Sequence, residues 1–236
     1  MGCRQRASSV LKYDAAYAAR KDFVAGPNAF LAECLRRIAA NRESRRTAAR
    51  NGSAKGSANG AGNARGQRPS PRKWRALDVG LGEGRNAILL AQRGYLTTGI
   101  DRSPVGVAAA RRLATGRGVR IDAVLADTEE YDFGRDRWDL IALLYYPQPM
   151  ILIDRLKEAV RPGGYIVIER FSRPKSCNPR DRRETQRPSP MLRCFLDWSV
   201  LHYENDEFKS DWHWNGESPS GPIIRLLARK PPQARQ

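Results

Sequence analysis

The sequence is short of acid. Its 236 residues hold 42 Lys and Arg against 25 Asp and Glu, a formal net charge of +17. It also lacks any apolar run of the ~18–20 residues that a membrane-spanning helix needs, which excludes that architecture. Cysteine is sparse, with four residues at 3, 34, 177 and 194 and no CxxC pair. A disulfide-rich scaffold and a structural zinc site are therefore not expected, and no metal is assigned.

The missing acid is concentrated in one place. Residues 36–75 carry twelve Lys or Arg and a single acid, Glu43. From Ala39 to Lys73 the chain has no Leu, Ile, Val, Phe, Trp or Tyr. Such a stretch buries too little apolar surface to offset the entropy of ordering it, so residues 42–73 read as a disordered basic linker. It divides a helical segment at 1–41 from a larger domain at 74–230, with a tail at 231–236. Two functions suit the linker. One is electrostatic attachment to nucleic acid. The other is a solvated insertion with no partner, and the absence of interleaved aromatics for base stacking favours it. The opening Met-Gly-Cys suggests a lipidation signal, but position 6 is Arg6 where that pattern wants Ser or Thr. No apolar core of a secretory signal follows, so a cytoplasmic location is expected and no membrane partner.

Periodicity organises the rest. Phe30, Leu31, Cys34, Leu35 and Ile38 fall on one helical face over 29–40, with Asn28 as N-cap. After the linker, strands are expected at 74–80, 95–101, 120–127, 137–146 and 165–171. Helices are expected between them at 83–94, 103–118 and 149–164, the last ending at Pro-Gly-Gly. Regular alternation argues for an α/β fold: a doubly wound, mostly parallel sheet, covered on both faces. Residues 172–190 are polar with four prolines and read as a loop or lid. A short helix at 191–196 and two strands at 197–208 and 221–230 follow, and an antiparallel hairpin completes a seven-stranded sheet.

The first strand–turn–helix reads LDVGLGEGRN, with Gly80, Gly82 and Gly84 in G-x-G-x-G spacing. Glycine lets a backbone turn tightly and approach a ligand closely. The helix start beyond it offers free N–H groups and a partial positive charge. An acid, Asp78, lies inside the strand; Asp101 ends the second strand and Asp127 the third. An acid at the second position can accept hydrogen bonds from ribose hydroxyls. A dinucleotide site wants G-x-G-x-x-G, and here Arg85 stands where its last glycine belongs. An acid in the glycine strand suits a cationic nucleoside better than a pyrophosphate.

The segments 76–91, 99–101, 125–133, 138–147 and 160–169 resemble, in order and spacing, the class I S-adenosylmethionine-dependent methyltransferases, a Rossmann-like family. The GEGRN form, the segment 13–31 and the ending RLLARK at 225–230 are similar to its small-molecule branch of tellurite-resistance type. The resemblance implies S-adenosyl-L-methionine as cofactor. Gly80, Gly82 and Gly84 would cradle its methionine part, Asp78 would face its amino group, and Asp101 would take the ribose diol. Asp127 would take the adenine amine, with the Thr128 backbone at the ring nitrogen, and Arg85 would meet a carboxylate. Each also has a plain role: a loop brace for Asp78, a helix cap for Asp101, a turn acid for Asp127 and a surface ion pair for Arg85.

The cofactor carries the chemical activation, so the protein mainly supplies proximity and alignment. Should the acceptor need a base, the candidates are Tyr145, Tyr146, Glu169 and His213. Tyr145-Tyr146-Pro147 stands where amino-methylating branches usually show Asn/Asp-Pro-Pro-Tyr, which argues against adenine or glutamine as acceptor. Packing is the plain role of the two tyrosines, and of His213 between Trp212 and Trp214. Cys34, Cys177 and Cys194 form no close pair for thiol chemistry and read as free cysteines. The reading taken is methyl transfer to a small-molecule acceptor. Its alternatives are an RNA- or ribosome-directed methyltransferase and a non-catalytic cofactor-binding subunit.

Overall fold

The apolar run before the glycines becomes the centre of a seven-stranded sheet. The computed structural model describes residues 14–15, 17–18, 26–54, 72–172, 190–211 and 220–233. The strands are β1 (Arg75–Val79), β2 (Leu96–Asp101), β3 (Asp122–Leu125), β4 (Trp138–Leu144), β5 (Val160–Phe171), β6 (Ser199–Lys209) and β7 (Ser220–Arg229). They lie in the order β3-β2-β1-β4-β5-β7-β6. The first five run parallel and β7 joins antiparallel to both β5 and β6. The α/β reading, the parallel body and the antiparallel hairpin all agree with the sequence expectation.

The helices are α1 (Ala29–Ala54), α2 (Arg85–Gln92), α3 (Pro104–Gly116), α4 (Ile153–Ala159) and α5 (Pro190–Arg193), with a 3-10 turn at Pro149–Ile151. Period-two alternation in the buried strands supplies two cores, one on each face of the sheet. On one face Ala76, Leu140, Ala142, Leu144, Tyr165 and Val167 meet Phe30, Leu31, Leu35 and Ile38 of α1. On the other Leu77, Val79, Ile141, Leu143, Ile166 and Ile168 meet Leu156 of α4, Phe195 and Trp198. The face of α1 read from the sequence is the face that packs.

Two boundaries differ from expectation. First, α1 continues to Ala54, so residues 42–54 are helix and not linker. Ala and Arg are strong helix formers that need no burial. Glu33 also pairs with Arg36 and Arg37 one turn on. Residues 55–71 lie outside the described residues. Second, α4 ends at Ala159, and Val160-Arg161-Pro162-Gly163-Gly164 already belongs to β5. Val160 pairs with Trp138 and Tyr165 with Leu140, so the Pro-Gly-Gly segment is an irregularity within the strand. Gly163, at φ +79, fits that role.

Asn28 begins α1 and is fully buried. Its Oδ1 accepts from the Leu31 N–H at 2.7 Å, an N-cap as expected. Its Nδ2 donates to Glu169 Oε1 at 2.7 Å. Asn28→Ala removes the cap and takes a donor from a buried carboxylate, a loss of about 2–4 kcal/mol. Asn28→Asp restores the cap but sets a second carboxylate against Glu169, so it should stay well below the parent. Urea midpoints at unchanged slope measure both. Equal stability of Asn28→Asp and the parent would show that the bond to Glu169 contributes nothing.

Candidate functional site

β1 ends beside β2, and the glycine turn is pinned across that pair. The N–H groups of Gly80 and Leu81 both donate to the Ile100 carbonyl, at 3.0 and 2.9 Å. The Gly82 N–H donates to Asp101 Oδ2 at 2.7 Å, and the Ser103 N–H to Asp101 Oδ1 at 2.9 Å. One carboxylate thus holds the turn and the start of α3 together. Gly84 precedes α2 at φ +84 with no side-chain cap. A Cβ there would lie 2.8 Å from the Ala110 Cβ, so only glycine lets α2 start this close to α3. The first N–H groups of α2 face the turn as an open, partly positive end.

Asp78 sits beneath this turn, 1% exposed. One oxygen accepts from the Ala87 N–H in the first turn of α2. The other, Oδ2, is buried and has no hydrogen-bond partner among the described residues. Burial pushes the carboxyl up to about 8; the Asp101 charge adds to this, while the Ala87 N–H and Arg85 oppose it. A buried carboxyl without a partner is costly. It suits a site that completes itself with a cationic ligand. Burial also raises Asp101, against the hydrogen bonds from Ser103 and Gly82. Each Asp101 oxygen keeps a second lone-pair direction for further donors.

The loops after β3 and β4 close the same end of the sheet. Asp127 Oδ1 accepts from the Glu129 N–H at 2.9 Å, shaping the turn that follows β3. Thr128 is buried, and its hydroxyl bonds the Tyr146 hydroxyl at 2.5 Å. The Tyr146 ring packs on Gly80, where a Cβ would meet Cδ2 at 3.3 Å. Tyr146 therefore links the loops after β1, β3 and β4. Burial raises its phenol, partly offset by the bond to Thr128. Tyr145 takes the other direction. It adopts a left-handed backbone at φ +53, a strained conformation for a non-glycine residue. Its ring lies 5.5 Å from that of Phe171, centroid to centroid. Burial raises its phenol, with the Glu169 charge adding to the shift and Ser210 opposing it.

Two expected site residues are occupied by the protein itself. Arg85 was read as a partner for a ligand carboxylate. Its NH2 instead donates to Asp211 Oδ1 at 3.1 Å, and its NH1 to the carbonyls of Asp211 and Gly26 at 3.0 and 3.1 Å. The ion-pair reading holds for it. Glu169 is 1% exposed and receives Arg225 Nε at 2.6 Å as well as Asn28. It serves as the anchor of a buried network and not as a free base. His213 and Cys177 lie outside the described residues. Cys34 is buried and its thiol is pushed up to about 12 by burial, as the free-cysteine reading implies. Among the described residues no cluster of His, Cys, Asp or Glu suits a metal.

Sequence reasoning missed the residues that close the site from outside. The Tyr17 hydroxyl lies 2.9 Å from where a Gly82 Cβ would stand, and its ring lies against Gly106. Ser103 Oγ accepts from the Gly106 N–H at 3.0 Å and donates to Asp14 Oδ1. Gly106 was the available signal. A glycine inside a helix lowers its stability and usually marks a close neighbour. Asp211 left no such signal, because it is a loop residue just beyond β6, 126 positions from its partner Arg85.

Residues 76–164 match the family model described as a methyltransferase domain. The chain is 30% identical over 169 residues to hemagglutinin 1 of Eikenella corrodens, covering 66% of this chain and 55% of that one. It is 33% identical over 108 residues to a ubiquinone biosynthesis O-methyltransferase of Alkalilimnicola ehrlichii, covering 43% and 44%. The chain thus spans about half the length of these curated relatives. TehB from Haemophilus influenzae shares the fold at a TM-score of 0.54 and 21% identity, over 67% of this chain and 58% of that one. The matched span begins in β1 and ends at the Pro-Gly-Gly irregularity, so it contains the pinned glycine turn and all three aspartates. Residues 76–164 thus match a methyltransferase domain, on a fold that TehB shares.

Proposed function

We propose that this domain transfers the methyl group of S-adenosylmethionine to a small-molecule acceptor by in-line displacement at the methyl carbon. The observation that carries the reading is the buried, unpartnered Oδ2 of Asp78 beneath the glycine turn. It offers an acceptor to the cofactor's amino group at the only end of β1 where open helix N–H groups can meet a carboxylate. The turn at Gly80, Gly82 and Gly84, packed against Tyr146, Tyr17 and Ala110, takes the methionine part through its backbone. Asp101 accepts from the ribose, and Asp127 with Thr128 faces the adenine. The sulfonium supplies the leaving group, and the chain's residues align, enclose and exclude water.

The candidate bases limit the acceptor. Both tyrosine phenols are raised by burial, and both Glu169 oxygens have donors. None of the three stands ready to remove a proton near neutral pH. The described residues thus offer no ready base, and the acceptor we propose brings its own nucleophile or a proton acidic enough to leave unaided. A thiolate, an acidic phenol or a neutral amine meets that condition. The relative named a ubiquinone biosynthesis O-methyltransferase methylates an oxygen by its name, which supports an oxygen acceptor here.

Titration calorimetry tests the cofactor assignments. Asp101→Ala should weaken S-adenosylmethionine binding by about 1–3 kcal/mol, the cost of losing charged hydrogen bonds. Unchanged affinity would remove Asp101 from the site. The Asp78 carboxyl gives a second handle. Below about pH 8 it holds its proton in the free protein. An adjacent cation favours the ionised form, so binding expels a proton. Affinity should then rise with pH and level off above that point. Binding enthalpy should also differ between buffers of different ionisation heat, and Asp78→Asn should lose that difference. If the parent and Asp78→Asn release equal numbers of protons, Asp78 does not face the cationic group.

A further inference from the structure

The parallel strands give the sheet two chemically opposite ends. At the carboxyl ends lie Asp78, Asp101, Asp127 and Glu169. At the amino ends β1 begins at Arg75 after Arg72 and Lys73, β2 follows Arg93, β3 follows Arg120 and β4 follows Arg137. The amino ends of β1 and β2 border a cleft of about 230 Å³ lined by Arg42, Arg72, Lys73, Arg93, Trp74 and Tyr95. A water occupies about 30 Å³, so the cleft has room for a phosphodiester group with part of its hydration. β1 separates this cleft from the glycine turn by its own length of about 17 Å.

We propose that this cleft, with the adjoining stretch of α1, docks a single-stranded nucleic acid through its phosphate backbone. Four observations carry the assignment. Lys73 and Arg93 are exposed and have no acidic partner among the described residues. Three acids close to this end are already taken: Asp139 by Arg72, Asp136 by Lys230 and Glu158 by Arg135, which leaves Glu43 and Asp122 against the larger number of cations. Arg42 stacks 3.5 Å above the Trp74 ring, which fixes a guanidinium at the cleft wall. Finally, α1 adds the exposed Arg45 one helical turn beyond Arg42.

Nucleic acid fits this face better than an anionic membrane. The described part of this face, Ala39 to Ala54 with Arg72 and Lys73, has no Leu, Ile, Val, Phe, Trp or Tyr. Leu96 beside Tyr95 is a single exposed apolar side chain, too little to anchor among acyl chains, whereas phosphate contacts need only charge. Trp74 already packs against Arg42, Tyr95 and Tyr165, which leaves it unavailable for base stacking. Binding should accordingly be electrostatic and tolerant of sequence. The docked strand lies at the far end of the sheet from the glycine turn, so it localises the enzyme and is not its acceptor. This inference stands whether or not the acceptor is a small molecule.

The test uses the full chain, fluorescein-labelled oligouridylate and fluorescence anisotropy over a series of salt concentrations. Lys73→Gln/Arg93→Gln should bind about tenfold more weakly at low salt, with a salt slope smaller by about 0.7 for each contact removed. Arg102→Gln/Lys209→Gln removes the same charge at the opposite end of the sheet, just after β2 and at the end of β6, and should bind like the parent. S-adenosylhomocysteine should not compete, and its unchanged binding to Lys73→Gln/Arg93→Gln shows that this variant is folded. Four results would overturn the proposal: no binding by the parent at low salt, equal losses in the two double variants, competition by S-adenosylhomocysteine, or retention on phosphatidylserine vesicles without retention of oligouridylate.

Discussion

One carboxylate holds the functional end of this fold in shape. Asp101 ends β2 and accepts from the Gly82 and Ser103 N–H groups on either side of it. The first contact fixes the glycine turn, and the second fixes the start of α3. Without it, the two helix starts that flank the turn would have no common anchor. Both bonds are charge-assisted and largely shielded from solvent, the setting in which such bonds contribute most. The same carboxylate keeps lone pairs free toward the ligand side. A structural brace and a binding group are therefore not competing readings of Asp101, because its geometry serves both.

Behind the turn a second network does different work. Asn28, Glu169, Asp211, Arg85 and Arg225 tie α1, β5, β7, the start of α2 and the end of β6 to one another. Two carboxylates and two guanidiniums share a mostly buried space, so each charge finds a partner close by. Leaving any one unpaired is costly, whereas the complete set is not a large source of stability. Its value is positional. It sets Tyr145 and Ser210 beside Glu169 and holds the strained Tyr145 backbone where β4 ends. The side of the site away from the glycines is thus built from paired groups.

The sequence carried most of the fold because its elements are short, regular and punctuated. Pro104 after Ser103 marked the start of α3, and the Ser103 hydroxyl does cap it. Gly80, Gly82, Gly84, Asp78 and Asp101 were legible as a site because a strand–turn–helix leaves few other reasons for that spacing. Two errors came from reading burial as structure. α1 loses its apolar stripe after Ile38, and the loss was taken for the end of the helix. Pro-Gly-Gly was taken for a helix stop, although its glycine at positive φ serves an irregular strand equally well. The partner of Arg85 was hidden for another reason. That partner, Asp211, lies 126 positions away, beyond any local pattern, and only the tertiary fold brings the two together.

The polarity of the sheet connects the chemistry to the unusual charge. A parallel sheet places every strand's carboxyl end on one side, so acids at successive strand ends collect at a single site. The same geometry gathers the arginines and lysines at strand starts on the opposite side. A sequence with alternating strands and helices can thus separate its charges by position within each repeat, without any long-range pairing. Asp78 lies at the acidic end, with one carboxyl oxygen unpartnered among the described residues. The excess of base, which contributes nothing to that site, gathers instead along α1 and the strand starts, far enough away to leave the field at the glycine turn acidic.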